Sequence, residues 1–381
     1  MTIDMETRQI PVLLLTGYLG SGKTTLLNRI LANRKGIKFA VIVNDIGEVN
    51  IDAGLIQQGG IVGQGDDSLV ALQNGCICCT LKMDLVAQIA ELASSKRFDY
   101  IVIEASGICE PAPIANTICT MPSFGTQYTR GAVPYVDCIV TVVDALRMKD
   151  EFAGGDALEK DNIEDDDLER LIIEQLEFCN IVLLNKAAEL SAGELGRLRA
   201  IVKGINPGAK VLECNYGDID LDEIIYTGMF DFESVATSAA WIAAIEGEDE
   251  EEEAEGEALE YGIETFVYMR REPLDLNKFD NFIFKHWPAS VIRAKGICYF
   301  ASEPDQCYLF EQAGRQKTVK DAGLWYASMD EFALRQQMER DPQLRRDWDP
   351  VYGDRMQKIV FIGQNLDKAS ITAFLDSCLA G

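Results

Sequence analysis

The chain has 381 residues, 48% of them hydrophobic, which suits about two folded domains with ordinary cores. Its formal net charge of -27 lacks the basic footprint that displaces phosphate counterions, so no nucleic-acid partner is expected. No apolar run approaches the ~18 residues of a membrane helix, and the opening MTIDMETRQIPVLLL lacks a basic leader and a cleavage site. A cytoplasmic protein without a membrane partner is therefore expected.

The first two-thirds alternates short apolar runs with amphipathic stretches. IPVLLLTG (10–17), KFAVIVND (38–45), DYIVIEAS (99–106), DCIVTVVD (137–144), NIVLLN (180–185) and AKVLE (209–213) are rich in Val, Ile and Leu. Runs of that kind suit strands covered on both faces of a parallel sheet. KTTLLNRILANRK (23–35) and MDLVAQIAELASSK (83–96) have helix length and periodicity. Strand, helix, strand in repetition predicts an α/β domain.

The first strand runs into GYLGSGKT (17–24), a complete G-x-x-x-x-G-K-[ST] motif between a buried strand and a helix. Gly17, Gly20 and Gly22 allow the tight turn that aims amide N–H groups, that of Ser21 included, at phosphate oxygens. The helix start at Lys23, Thr24 and Thr25 adds positive dipole. Lys23 is the candidate for the β- and γ-phosphates, and the Thr24 hydroxyl for Mg²⁺. After the second strand, VNDIGEVNID (43–52) occupies the place of a switch loop and carries Glu48.

NGCICCTL (74–81) then places Cys76, Cys78 and Cys79 within four positions. Eleven cysteines in a chain without a leader read as thiols rather than bridges. Three thiolates suit Zn²⁺ or Cu(I), with Glu48 as a further ligand. A redox pair of Cys76 and Cys79, or inert buried thiols, are the alternatives.

IVIEASGICEP (101–111) supplies an acid closing a buried strand and a glycine three residues on. Glu104 is placed to hold Mg²⁺ directly or through water, and the Gly107 amide to bond a γ-phosphate. VLLNKAAEL (182–190) sets Asn185 and Lys186 after another buried strand. In Asn-Lys-x-Asp the carboxylate takes two guanine N–H donors, but here the fourth position is Ala188, followed by Glu189. The choice between GTP and ATP is left open by that departure.

EGEDEEEEAEGEALE (246–260) cannot build a core and reads as a solvated linker. From 262 a smaller α+β unit follows. GIETFVYMRR, SVIRAKGICYFA, QCYLFEQAG and QKIVFIGQN are expected strands, and DLNKFDNFIFKHW and DKASITAFLDSCL expected helices. The one histidine, His286, reads as an ordinary residue at a helix end rather than a ligand.

The phosphate loop, N-x-x-G-E, G-C-I-C-C-T and E-x-S-G in this order resemble the CobW family of P-loop GTPases, related to metal-insertion GTPases of urease and hydrogenase maturation. SVIRAKGICYF (290–300), AGLWYA (322–327) and IVFIGQNLD (359–367) resemble the family's C-terminal domain. The resemblance implies a P-loop NTPase domain with a mostly parallel sheet over 1–225, an acidic linker over 226–261 and a C-terminal α+β domain over 262–381. It implies GTP hydrolysis coupled to handling of Zn(II), with Mg(II) accompanying GTP. Cys76, Cys78, Cys79 and Glu48 would hold the metal, residues 17–25 the phosphates, and Asn185 and Lys186 the base. GTP and GDP are the expected ligands and a metalloprotein client the expected partner, with a homo-oligomer open. Delivery of cobalt or iron, or a redox-responsive nucleotide-binding module, are the rival functions. Many members of that family carry a histidine-rich stretch near the domain junction; here that region is acidic.

Overall fold

A computed structural model describes residues 8–32, 35–44, 69–72, 82–129, 132–152, 163–232, 263–313, 316–340, 344–345 and 348–380. Glu48, Cys76, Cys78, Cys79 and the acidic run lie outside these residues. The chain divides into two compact units, one drawn from residues 1–153 and 171–244, the other from 154–170 and 245–381.

The first unit opens with β1 (Gln9–Thr16), α1 (Lys23–Leu31), β2 (Phe39–Asn44) and β3 (Leu69–Leu72). Next come α2 (Lys82–Ser94), β4 (Tyr100–Glu104), α3 (Pro111–Thr120), β5 (Val133–Asp144) and α4 (Ala145–Phe152). Helix α5 (Ile163–Glu177), β6 (Ile181–Asn185), α6 (Ala192–Ile205) and β7 (Lys210–Glu213) complete this stretch of chain. The described strands pair in parallel in the order β3-β2-β4-β1-β5-β6-β7.

Strands β4 and β6 are buried at every position, and β1 at all but its first. That is the reason these runs read as continuously apolar: both faces of the sheet are covered. Helix α1 buries Leu26, Leu27 and Ile30, which recur at helical spacing and pack with Leu13, Leu15, Val41, Val102 and Val140. Helix α6 starts on a capping box. The Ser191 hydroxyl accepts from the Glu194 N–H, and the Glu194 carboxylate accepts from the Ser191 N–H.

Among the buried polar residues of the sheet, which include Thr16 and Thr141, one is an acid in the body of a strand rather than at its end. Asp137, on β5, is fully buried. Its carboxylate accepts from the Tyr100 hydroxyl at 2.5 Å, the Thr227 N–H at 3.1 Å and the Gly228 N–H at 2.7 Å. The Asp137 carbonyl also accepts from the Phe230 N–H at 3.0 Å. Residues 226–230 are thereby stitched to β5, with Tyr226 edge-on to Tyr100 at 5.0 Å. Burial beside this carboxylate pushes the Tyr100 phenol well above its ordinary range, so it remains a donor.

The second unit contains β8 (Ile263–Arg270), α7 (Leu276–Lys285), β9 (Val291–Phe300), β10 (Glu303–Ala313) and β11 (Gln316–Leu324). They are followed by α8 (Glu331–Arg340), β12 (Gln357–Gln364) and α9 (Lys368–Ser377). The strands form an antiparallel sheet ordered β11-β10-β9-β12-β8. Helices α7 and α9 cover one face with Phe279, Phe282, Ile283, Ile371 and Leu375, against Tyr268, Ala294, Phe310 and Phe361. Asp275 and Asp367 cap these helices by accepting from the Lys278 and Ser370 N–H groups, each at 3.0 Å. His286 ends α7 and stacks on Phe374 at 5.7 Å.

Strand β11 and helix α8 have no counterpart among the sequence expectations. Strand β11, QKTVKDAGL, is an edge strand with its last six residues exposed, so it carries no apolar alternation. Helix α8 sets Phe332, Ala333, Leu334 and Met338 among six polar residues and fully buries none of its described residues.

Asp137→Ala leaves one buried hydroxyl and two partly buried N–H groups without their acceptor. It should lower unfolding stability by about 2–4 kcal/mol in urea denaturation. A loss under about 0.5 kcal/mol would contradict this account of how residues 226–230 are held.

Candidate nucleotide site

Strand β1 ends at Thr16, and the chain turns at once through Gly17, Gly20 and Gly22, with φ of 129°, 84° and 108°. Gly22 is the residue before α1. A Cβ there would stand 2.3 Å from Asn185 Nδ2, so only glycine serves both the backbone angle and the close approach. The Ser21 N–H donates to the Tyr18 carbonyl at 3.2 Å, closing the turn.

Lys23 is the first residue of α1, and its side chain folds back into the loop. Its ammonium donates to the Gly17 carbonyl at 2.7 Å and the Tyr18 carbonyl at 3.1 Å. Lys23 is only 7% exposed. A phosphate oxygen is a stronger, charged acceptor than a carbonyl and competes for this ammonium. Thr24, the next residue, donates its hydroxyl to Glu104 Oε1 at 3.0 Å. Thr25 follows on the exposed side of the helix.

Glu104 closes β4, which pairs directly with β1 through Leu15 and Glu104. Parallel pairing in register is what carries an acid, 80 residues away in sequence, to the end of the phosphate loop. Glu104 is 1% exposed. A hydroxyl and a carboxylate held together are hard oxygen donors of the kind Mg²⁺ takes, so these two side chains fit that ion. Beyond Glu104 the chain passes back over the loop. A Cβ on Gly107 would lie 2.7 Å from the Leu19 amide nitrogen and 3.1 Å from Leu19 Cα. Segment 104–107 therefore packs on the phosphate loop, and a side chain at 107 would push one from the other.

Strand β6 delivers Asn185 to the loop from the other side. Its Nδ2 donates to the Ser21 carbonyl at 2.9 Å, and its Oδ1 accepts from the Gly217 N–H at 3.3 Å and the Cys214 thiol at 3.6 Å. Burial pushes the Cys214 thiol up, so it stays protonated and keeps donating. Asn185 is 3% exposed. Its amide ties the phosphate loop to the chain after β7.

Lys186 takes a left-handed conformation with φ of 62° and leads into a 3₁₀ turn over Ala187–Glu189. Its ammonium pairs with the Asp144 carboxylate at the end of β5. Asp144 in turn fixes Tyr18. The Tyr18 hydroxyl donates to the Asp144 carbonyl and accepts from the Asp144 N–H, both at 3.0 Å, and Arg147 lies over the Tyr18 ring at 5.1 Å. Ala188 and Glu189 are both exposed. The Ala188 N–H donates to Asn215 Oδ1 at 2.9 Å.

The structure thus brings Gly17, Gly20, Ser21, Gly22, Lys23, Thr24, Glu104, Gly107, Asn185 and Lys186 to one end of the sheet, at the carboxyl ends of β1, β4 and β6. That is where open parallel sheets present ligand clefts. Tyr18, Asp144, Cys214 and Asn215 also join this group and were not singled out from sequence. Asp144 carried a readable signal, an acid closing a buried strand, as Glu104 does. The others carried none.

A glycine-bent strand–helix turn with its lysine, beside an acid on the neighbouring strand, defines the P-loop class of nucleotide-binding proteins. Within that class, residues 11–213 match the model of the CobW/HypB/UreG nucleotide-binding domain, and residues 263–379 match the cobalamin synthesis protein cobW C-terminal domain. The chain belongs to this family and is a P-loop GTPase. It is 36% identical over 386 aligned residues to a Dictyostelium discoideum protein named zinc-regulated GTPase metalloprotein activator 1, covering 97% of this chain and 80% of that one. It is 28% identical to the Escherichia coli zinc chaperone YjiA, over 96% of this chain and 97% of that one. A solved structure of zinc(II)-bound YjiA GTPase shows 22% identity and a TM-score of 0.44, covering 98% of this chain and 100% of that one. Among the described residues no helix is long and apolar enough to cross a membrane.

Asn185→Asp places an oxygen against the Ser21 carbonyl, where a donor now stands. Nucleotide affinity should fall about 10- to 100-fold while the far-UV circular dichroism stays unchanged. Unaltered affinity would contradict the role given to this amide.

Proposed function

We propose that this protein is a GTP-driven zinc metallochaperone, taking up Zn²⁺ as cargo and passing it to a metalloprotein client. The observation that carries the reading is the contact of segment 104–107 with the phosphate loop, through the 3.0 Å bond from Thr24 to Glu104 and the close approach of Gly107 to Leu19. A nucleotide whose terminal phosphate enters that contact has differential interactions with two arrangements of the segment, which is what a switch requires.

In this reading the amides of residues 17–25 and the Lys23 ammonium hold and orient the phosphates. Lys23 exchanges its carbonyl partners for the β- and γ-phosphate oxygens. The Gly107 N–H donates to the γ-phosphate and loses that partner when it departs. Thr24 and Glu104 would hold Mg²⁺, which neutralises charge on the β- and γ-phosphates when bound. Asn185 and Lys186 hold the base side of the cleft. The cargo donors are Cys76, Cys78 and Cys79, with Glu48 as a fourth. Thiolates with one carboxylate make a tetrahedral set that suits Zn²⁺, and an exchangeable fourth position gives a client ligand its point of entry. In sequence the cysteines lie between the phosphate loop and the Glu104 segment. That interval supports coupling of metal state to nucleotide state. The names of the relatives from Dictyostelium discoideum and Escherichia coli support zinc over cobalt or iron.

The test uses full-length protein purified without a metal-binding tag. Competition with a chromophoric zinc chelator should reveal one tight site, lost in the variant Cys76→Ser, Cys78→Ser, Cys79→Ser. Phosphate release from GTP should be slow but measurable and abolished by Lys23→Ala. Full zinc affinity in the triple variant would remove the cysteines from the site. A reversible Cys76–Cys79 disulfide with no phosphate release would favour the redox module instead.

A further inference from the structure

The purine end of the cleft departs from a carboxylate-based reader, and the structure shows what stands there. Ala188 occupies the position of the guanine-reading acid. Its main-chain N–H is engaged by the side chain of Asn215, from the loop after β7, at 2.9 Å. A main-chain N–H faces only an acceptor, so the atom turned to it is Oδ1. The other half of that amide, Nδ2, is a donor, and it has no protein partner among the described residues. Asn215 belongs to the same joint as Asn185. The Ala187 N–H donates to the Cys214 carbonyl at 3.2 Å, and the Gly217 N–H to Asn185 Oδ1 at 3.3 Å.

Among the described residues, carboxylates on the adjoining elements are committed elsewhere. Asp144 pairs with Lys186, Glu213 with Arg199 and Asp218 with Arg29. Glu194 is held by the Ser191 cap and by Lys149 at 3.3 Å. Glu189 lies one position past Ala188 on a 3₁₀ turn. Successive side chains on such a turn diverge by about 120°, so Glu189 does not occupy the direction of residue 188.

We propose that this site recognises the 6-oxo group of a purine through the Asn215 amide and is indifferent to the 2-amino group. The inference rests on the nucleotide-site reading above. Guanine and hypoxanthine both offer an oxygen at position 6 to a donor. Adenine offers an amino group there, which leaves two donors facing each other. A carboxylate at 188 would take guanine N1–H and the 2-amino group together. With alanine at 188 that carboxylate no longer rewards the 2-amino group. Inosine triphosphate is therefore a ligand on a par with GTP.

Full-length protein is titrated with GTP, ITP and ATP by displacement of a fluorescent GDP analogue, with Mg²⁺ present. ITP should bind within about threefold of GTP, and ATP at least about tenfold more weakly. Ala188→Asp should open a GTP-over-ITP preference of about 10- to 100-fold. Asn215→Asp keeps an oxygen for the Ala188 N–H and replaces the donor by an acceptor, so it should shift preference from GTP toward ATP. Glu189→Gln should change none of these ratios. Wild-type discrimination against ITP of tenfold or more, or loss of GTP but not ITP binding in Glu189→Gln, would overturn the proposal. Unchanged GTP-to-ATP selectivity in Asn215→Asp would also overturn it. Failure of all three nucleotides to bind would overturn the nucleotide-site reading itself, and the inference with it.

Discussion

The site is organised around one buried amide. Asn185 donates to the phosphate loop at Ser21 and accepts from Cys214 and Gly217 beyond β7. It also fills the space where any side chain on Gly22 would go. A primary amide offers donors on one side and lone pairs on the other, so it can bind a carbonyl and an N–H in opposite directions. No carboxylate or ammonium does both. Removed from water, each unmatched atom would cost about 1–3 kcal/mol, so the geometry of the phosphate loop and that of the base loop are fixed together.

Two acids at strand ends extend this arrangement in opposite directions. Glu104, on β4, meets Thr24 on the phosphate side, while Asp144, on β5, meets Lys186 and Tyr18 on the base side. Both are nearly buried and both are paired, which is the condition for keeping a carboxylate in a low-dielectric setting. The strand order β4-β1-β5-β6 places them on either side of β1. The groups proposed to sense the phosphates and those proposed to meet the base are thus separated by one strand. In the proposed reading a change at the terminal phosphate would act first on segment 104–107, because Gly107 is packed against the loop.

The phosphate loop was legible in sequence because its chemistry leaves few residue choices: positive φ demands glycine, and phosphate demands lysine. The central strands were legible because burial on both faces removes polar residues. Asp137 and Asn215 were not legible, since their partners come from elsewhere in the chain and local pattern is blind to such pairing. Asp137 reads as punctuation at the start of an apolar run, yet it holds three donors, one on β4 and two from residues 227 and 228. Strand β11 was missed for the converse reason: an exposed edge imposes no apolar pattern. The resemblance to the CobW family rested on ordered motifs, and the family models match both units of the chain. The thiols and Glu48 fall outside the described residues, so their part rests on sequence chemistry.

Coupling of cargo to nucleotide is the central claim. It is tested most directly by the zinc affinity of the full-length protein with and without a non-hydrolysable GTP analogue. Linkage requires the same factor to appear in the analogue's affinity with and without zinc. The account predicts that nucleotide changes zinc affinity by about 5- to 150-fold and that the two factors agree. Equal zinc affinity in both states would contradict it.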